Sequence, residues 1–455
     1  MCRSRLNAAS RAIRALLLAL TVAMGSLAPS YAATSTTLSP QVALDWNVNA
    51  VNAVRAARTM DGVPAGMPPR PFYAPEGLVY MSYVQAAVYD AVMKISHRYE
   101  LYHHFSAHAG NASPEAAVIA ATYNTLVFYL GDPGGVLATE YATAIAALPA
   151  DRQTARGIAV GQAAAEDIER LRAGDGLNAP ISDACPTATV PPTPGAWLCA
   201  PPPSVQSEVT PWIADMQPFL IENASQFRAP APPALDSAQY AADLNEVKTY
   251  GSVNSTIRSP EQQAIAWFWN ANVISQFNAT LRGVALQHNL DLVDTVRLLV
   301  MGDMVPADAV IACFDSKYHY LFWRPVTAIR ADGNPADANW SPLVATPNHP
   351  EYPSSHGCAT SALGRVLANV LDTANLNVTI PGAQGGAGTL TTTRTYATAQ
   401  DLDAELVNAR VWIGFHYRNS VLRGEDLGHS VADWTLQRFF LPADEQGGDG
   451  QGGDA

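Results

Sequence analysis

The feature that most constrains this chain is its series of long Ala/Leu/Val-rich segments in which apolar residues return every three to four positions. That period places them on one face of a helix, whereas the two-residue alternation of strands is scarce. The spacing predicts helices over about Gln41–Arg58, Pro75–Lys94, Pro114–Leu130, Asp151–Arg172, Ser237–Thr249, Pro260–Gln287 and Leu290–Cys313. Three more follow over Ser355–Leu371, Ala399–Phe415 and Arg423–Phe439. The expected fold class is all-α, with a helical-bundle architecture. Proline-rich stretches at Asn178–Pro211 and Arg228–Asp236 break the pattern. They divide an N-terminal helical region, residues 33–235, from a C-terminal helical domain, residues 236–442. The glycine-rich "PGAQGGAGT", residues 381–389, lacks the Lys-Ser/Thr ending of a phosphate loop and a strand before it. It is expected to be a flexible connection between helices. Residues 443–455 read as a disordered tail.

Residues 1–32 carry Arg3, Arg5, Arg11 and Arg14, an apolar run, and Ser30-Tyr31-Ala32 as a small-residue cleavage site. This is the pattern of an export signal peptide, so the mature chain is expected outside the cytoplasm, periplasmic or secreted, with no transmembrane segment. The whole chain has a net charge of −13, and losing the four leader arginines brings it to −17. That balance excludes a general nucleic-acid or anionic-membrane binder, and it makes any cluster of cations informative. Cys185 and Cys199 flank a proline-rich loop and match no zinc spacing; in an oxidising compartment a loop-closing disulfide is expected. Cys313 and Cys358 read as buried thiols, with a second bridge open. His104 and His108 could pair on a helix as metal ligands, but no carboxylate completes a site.

Three short stretches concentrate basic and hydroxyl groups. "KYHYLFWRP" holds Lys317 and Arg324 among aromatic residues; on a continuous helix they would share a face two turns apart, but Pro325 constrains Arg324 away from a continued helix. Such neighbours argue for partial burial, and a buried cation needs an anion. "HPEYPSSHGCATSA" puts Ser354, Ser355 and His356 at the mouth of a helix, whose unpaired N–H groups and positive end suit an oxyanion. "NARVWIGFHYR" supplies Arg410 and His416, with Gly414 permitting close approach of a backbone or ligand.

Lys-x6-Arg-Pro, then Pro-Ser-x-His, then Arg-x3-Gly-x-His resembles the three-part signature shared by vanadium-dependent haloperoxidases and type 2 phosphatidic acid phosphatases. The likeness covers Cys313 to about Trp434. It implies that Lys317, Arg324 and Arg410 neutralise the equatorial oxygens of vanadate or phosphate. Ser354 and the amide of Ser355 would add donors. His416 would sit at one apex, as ligand to the vanadium of vanadate or as nucleophile on phosphorus, and His356 would face the other as general acid or base. Two positions depart from the pattern. Ser355 stands where the family usually has glycine, which would strain it if that residue needs a positive φ. Ser420 stands where an aspartate commonly follows the apical histidine, so a backbone carbonyl or the Ser420 hydroxyl must hold the second nitrogen of His416. Asp303, Asp308 and Asp315 are candidates to support one of the arginines, while His319 and His429 read as partly buried or supporting residues.

His349, seven residues before His356, matches the place where bromide-oxidising members carry histidine and the chloride-oxidising branch carries phenylalanine. It is the candidate halide residue. The resemblance thus implies a vanadate cofactor, with hydrogen peroxide, a halide and a small organic acceptor as partners; a homo-oligomer stays open. An acid phosphatase using a phosphohistidine is the alternative. A non-catalytic oxyanion-binding protein is the third, but it would need the cations and not the two histidines.

Overall fold

The computed structural model describes residues 38–59, 69–179, 193–198, 210–331, 337–385 and 389–443. Residues 1–32, expected to be a signal peptide, Cys185 and Cys199 of the expected disulfide, and residues 444–455 lie outside them.

The first half of the described chain contains α1 (Gln41–Ala56), α2 (Ala74–Ser96), α3 (Pro114–Leu130), α4 (Val136–Ala146) and α5 (Arg152–Leu171). A two-residue pair, β1 (Arg58–Thr59) and β2 (Arg70–Pro71), lies between α1 and α2. The second half contains α6 (Ala238–Tyr250), α7 (Pro260–Phe268), α8 (Val273–Gln287), α9 (Leu292–Tyr320), α10 (Pro325–Ala331) and α11 (Ser355–Val370). The hairpin β3 (Asn375–Ala383) and β4 (Leu390–Thr398) then leads into α12 (Ala399–Trp412) and α13 (Arg418–Leu436). The all-α expectation holds: the chain is mostly helical, with few strands.

Three local expectations are corrected. Pro260–Gln287 is not one helix: Asn272 caps a new one by accepting from the amide of Ser275, so α7 and α8 are separate. The glycine-rich segment does not join helices: Pro381–Ala383 end β3, and the segment connects β3 to β4, which pair Ile380 with Arg394 and Gly382 with Thr392. Alternating burial along β3 supplies the reason, since Leu376, Val378 and Ile380 face the core while their neighbours face out. The third is α9, which continues two turns past Cys313 to Tyr320.

Two helices organise the interior. From Glu76 to Met93 every residue of α2 is buried, and α9 is buried almost all round from Leu292 to Lys317. A helix apolar on every side belongs at the centre of a bundle, and α9 packs there against α2, α8, α11 and α13. The contact between α11 and α13 is unusually close because glycines line it. A Cβ on Gly357 would stand 2.7 Å from the carbonyl of Val421, one on Gly424 2.6 Å from that of Ser354, and one on Gly428 2.2 Å from that of Cys358. These glycines set the start of α11 directly on α13.

Candidate active site

Lys317 lies on the last turn of α9. Leu321 then adopts a left-handed conformation (φ +47°) and turns the chain out of the helix, so Arg324 is not on the helix face of Lys317, where a continuous helix would have put it. Arg324 instead reaches the site from the short link before α10. Arg410 comes from the last turn of α12, and His416 from the turn into α13. Gly414 in that turn has φ +89°, and a Cβ there would stand 2.6 Å from the carbonyl of Gly251. Backbone, not a ligand, is what its missing side chain admits. Ser354 caps α11, and Ser355 and His356 form its first turn.

These parts converge. Arg324 donates through Nε to the carbonyl of His349 (3.0 Å) and through Nη1 to that of Phe415 (3.2 Å). Its Nη1 also lies 3.3 Å from His416 Nε2, and its Nη2 lies 3.1 Å from His349 Nδ1. Lys317 Nζ donates to the carbonyls of Pro350 (2.9 Å), Glu351 (2.8 Å) and Pro353, the loop that leads into α11. Its three donors are thus spent on the loop, and toward a ligand it acts through charge. Arg410 Nη1 donates to the carbonyl of Trp269 (3.0 Å), with the guanidinium over the Phe415 ring. Lys317, Arg324, Arg410 and His416 are all at most 3 % exposed.

The carboxylate that sequence reasoning missed is Glu351. It is fully buried, and its Oε1 accepts from His416 Nδ1 (2.7 Å) and from the amide of Tyr417 (3.2 Å). The expectation that a backbone carbonyl or Ser420 holds the ring is therefore overturned; the Ser420 hydroxyl is buried without a hydrogen-bond partner among the described residues. With Nδ1–H turned to Glu351, the Nε2 lone pair of His416 faces Arg324 and the pocket. Ser355 is helical, not left-handed, so serine in place of glycine carries no backbone strain.

The three candidate aspartates do not serve the site. Asp303 accepts from Asn278 (2.8 Å), Asp308 caps the amides of Phe219, Leu220 and Ile221, and Asp315 pairs with Arg228 (2.7 Å). Cys313 and Cys358 are free thiols buried beside the site loop, Cys313 Sγ lying 3.6 Å from Ser355 Oγ. His104 and His108 fall in a non-helical stretch, so the helical pairing does not form, and neighbouring His103 pairs with Asp167. His319 packs edge-on against Tyr320, and His429 pairs with Asp403.

Burial and mutual repulsion show in the proton affinities. Burial pulls Lys317 down to about 8, Arg324 to about 10 and Arg410 to about 9, with Arg324 opposing the charge of the other two. Burial followed by the nearby cations holds His356 and His416 well below the usual histidine range, so both are neutral imidazoles at pH 7. Glu351 is pushed up to about 7 by burial, against the pull of Arg324 and Lys317.

Among the buried polar atoms of this group that have no protein partner are Ser354 Oγ, His356 Nε2 and Arg410 Nε, together with Glu351 Oε2 and Ser420 Oγ beside His416. Ser354 is telling. Ser113, Ser237 and Ser259 all use their hydroxyls to cap their own helices, whereas Ser354, in the same position on α11, does not. An unsatisfied buried donor costs about 1–3 kcal/mol. Three cations against one carboxylate, with unspent donors among them, fit a multiply charged oxyanion. Vanadate suits this donor set as phosphate does.

Comparison with known proteins points the same way. Residues 297–443 match the family model described as the VCPO second helical-bundle domain. The vanadium chloroperoxidase of Curvularia inaequalis is 28% identical over 144 residues, which are 26% of this chain and 24% of that protein. The match thus spans about a quarter of the curated relative's length. Among solved structures, a bacterial vanadium-dependent iodoperoxidase superposes with a TM-score of 0.73 at 21% identity, over 89% of this chain and 98% of its own. A holo-type bacterial vanadium-dependent chloroperoxidase superposes with a TM-score of 0.66 at 20% identity, over 85% and 97%. These structures share the fold of this chain from its N-terminal helices to its last. Residues 297–443 thus carry the second helical-bundle domain of that family model, and the chain as a whole has the fold of the bacterial vanadium-dependent haloperoxidases.

Proposed function

We propose that the protein is an exported vanadate-dependent haloperoxidase. It would oxidise bromide, with iodide or chloride as alternative halides, using hydrogen peroxide, and yield a hypohalous species that halogenates electron-rich organic acceptors. The observation that carries this reading is the set of unspent buried polar atoms, the donors Ser354 Oγ and Arg410 Nε and the ring nitrogen His356 Nε2, assembled with His416 Nε2 among three cations. Lys317, Arg324, Arg410, Ser354 and the amide of Ser355 would hold vanadate, with His416 Nε2 as the protein ligand of its vanadium. Bound there, vanadate supplies a Lewis acid that activates peroxide toward halide.

The chain's own residues do the rest. Glu351 holds His416 in the Nδ1–H tautomer and so keeps Nε2 available. His356 is neutral and its Nε2 is free, so it can take a proton from incoming peroxide and return it to the departing water. His349 stacks obliquely on Phe314, ring centroids 5.3 Å apart, and meets Arg324, which puts it beside the cations where a halide would approach.

One observation favours a second reading. A carboxylate behind the apical histidine also suits a phosphohistidine intermediate, and Glu351 supplies it. The two readings separate in one experiment on purified protein stripped of bound oxyanion. A haloperoxidase gains bromide oxidation when vanadate is added and loses it to competing phosphate. Brisk phosphomonoester hydrolysis, with vanadate only inhibiting and no halide oxidised, would assign the site to the phosphatase branch.

A further inference from the structure

A second cluster of ligating side chains lies outside the oxyanion pocket. Asp403 projects from α12, while Glu425 and His429, four residues apart on one face of α13, project toward it. One donor atom from each lies within 4.8 Å of the other two, and His429 Nε2 stands 3.0 Å from Asp403 Oδ2. Bonds of about 2.0–2.2 Å from one ion to two adjacent ligands leave those ligands roughly 3 Å apart, so this spacing accommodates a shared metal as well as a hydrogen bond.

Two independent features point to a cation. Asp403 is buried, and the Ser361 hydroxyl on α11 donates to its Oδ1 (2.7 Å), which fixes the carboxylate with Oδ2 turned to the cluster. A donor behind a ligating carboxylate is the usual support of a metal site. Glu425, about half-buried, accepts no hydrogen bond among the described residues and faces the like charge of Asp403. Arg365, itself paired with Asp433 at 3.8 Å, acts on Glu425 through charge alone.

We infer that Asp403, Glu425 and His429 form a site for a divalent transition-metal ion of the zinc type. One imidazole and two carboxylates disfavour calcium and magnesium, which take oxygen only. Glu425 and His429 are partly exposed, so the ion has access from solvent and keeps room for water. The ion staples α12 to α13. Arg410 lies seven residues beyond Asp403 on α12, about 10 Å along the axis, so the staple sits outside the oxyanion pocket but on a helix that feeds it. The site is independent of which reaction the pocket performs.

The test uses the full chain, stripped with chelator and desalted, titrated with zinc ion at pH 7 without vanadate. One zinc should bind per chain, at least tenfold more weakly in Glu425→Gln and in His429→Ala. At a hundredfold excess over the parent's dissociation constant, the melting temperature should rise by about 3 °C in the parent and by no more than about half of that in the variants. No uptake by the parent, or equal uptake by the parent and Glu425→Gln, overturns the inference; the latter would place the ion elsewhere, as at His103 and its neighbours. Glu425 is half-exposed and unbonded, so that variant decides the matter even if His429→Ala unfolds.

Discussion

Replacing Glu351 by glutamine changes one oxygen to an amide in a fully buried pocket and should move two affinities in opposite directions. The first is for an oxyanion that bonds to His416. A hydrogen bond to a charged acceptor contributes about 1.5–3 kcal/mol and a neutral one about 0.5–1.5, so roughly 1–1.5 kcal/mol of support for Nδ1–H is lost. That alone is about tenfold in affinity. Loss of the group behind a ligating histidine typically costs 10–100-fold. The second affinity is for an anion that merely sits among Lys317, Arg324 and Arg410. Glu351 is the one carboxylate opposing those cations, so its neutralisation should leave sulfate binding unchanged or stronger. Vanadate affinity would be read from recovery of peroxide-dependent bromide oxidation by the stripped protein, and sulfate affinity from the shift in melting temperature. Equal weakening of both anions would mean that the variant disturbs the pocket generally. Unchanged vanadate affinity would refute the assigned role outright. If the pocket acts on phosphomonoesters instead, the same variant should lower kcat at least tenfold.

Other outcomes follow from the same geometry. His416→Ala should abolish turnover in either chemistry, whereas His356→Ala should slow it strongly yet keep oxyanion binding within a few-fold, because the three cations remain; steady-state kinetics and anion titration separate the two. His349→Phe should impair bromide oxidation more than vanadate binding, and an equal loss in both would deny it a part in halide handling. Capture of vanadate, read as bonding to His416, should peak between about pH 7 and 8, whereas sulfate capture should show only the alkaline limb. Glu351, raised to about 7, gains the charge that supports His416 only above that pH, and Lys317, lowered to about 8, loses its charge above it. Glu351→Gln should erase the acid limb of the profile and leave the alkaline one. Gly428→Ala would drive a methyl to 2.2 Å from the Cys358 carbonyl and should cost about 2–3 kcal/mol in chemical denaturation; a neutral result would contradict the close α11–α13 contact.

The three-residue to four-residue apolar period carried most of the fold, because helices of this length bury faces that the sequence displays directly. Pro114–Leu130 is found at the residues the pattern gives. What hid was whatever depends on tertiary contacts or on local backbone choice. Leu321 has no chemical signal for a left-handed φ, so the point at which the helix ends was not readable, although Pro325 already takes Arg324 out of a continued helix. The β3–β4 hairpin did leave a trace, since "LNVTI" and "LTTTRTYAT" alternate and are rich in β-branched residues, but the glycines between these stretches drew the eye to a linker. Within the pocket, Lys317, Arg324, Ser354, His356, Arg410 and His416 were all legible, because each belongs to a motif of fixed spacing. Glu351 belongs to none. Its signal was weaker: it is the single acidic residue between His349 and His356, in a stretch otherwise made of Pro, Tyr and Ser.

The pocket is also where the chain departs from the rules it follows elsewhere. Along the rest of the fold, polar side chains complete their own helices, as Asp151 and Asp291 do at the starts of α5 and α9. Asp308, a buried carboxylate there, is matched to three successive amides, although Asp303 leaves its Oδ2 unpartnered. Around His416 the balance is reversed: cations outnumber their one carboxylate, and a cap position leaves its hydroxyl unspent. Such an arrangement is costly in the empty protein. It persists because the fully buried α9 and the glycine-lined contact of α11 with α13 fix the backbone that carries it. The deficit is an anion. Oxyanion binding should therefore stabilise the fold as well as fill the site, and charge alone does not separate vanadate from phosphate. On the proposed reading, what would separate them is lasting coordination by His416 Nε2, which Glu351 would support through Nδ1.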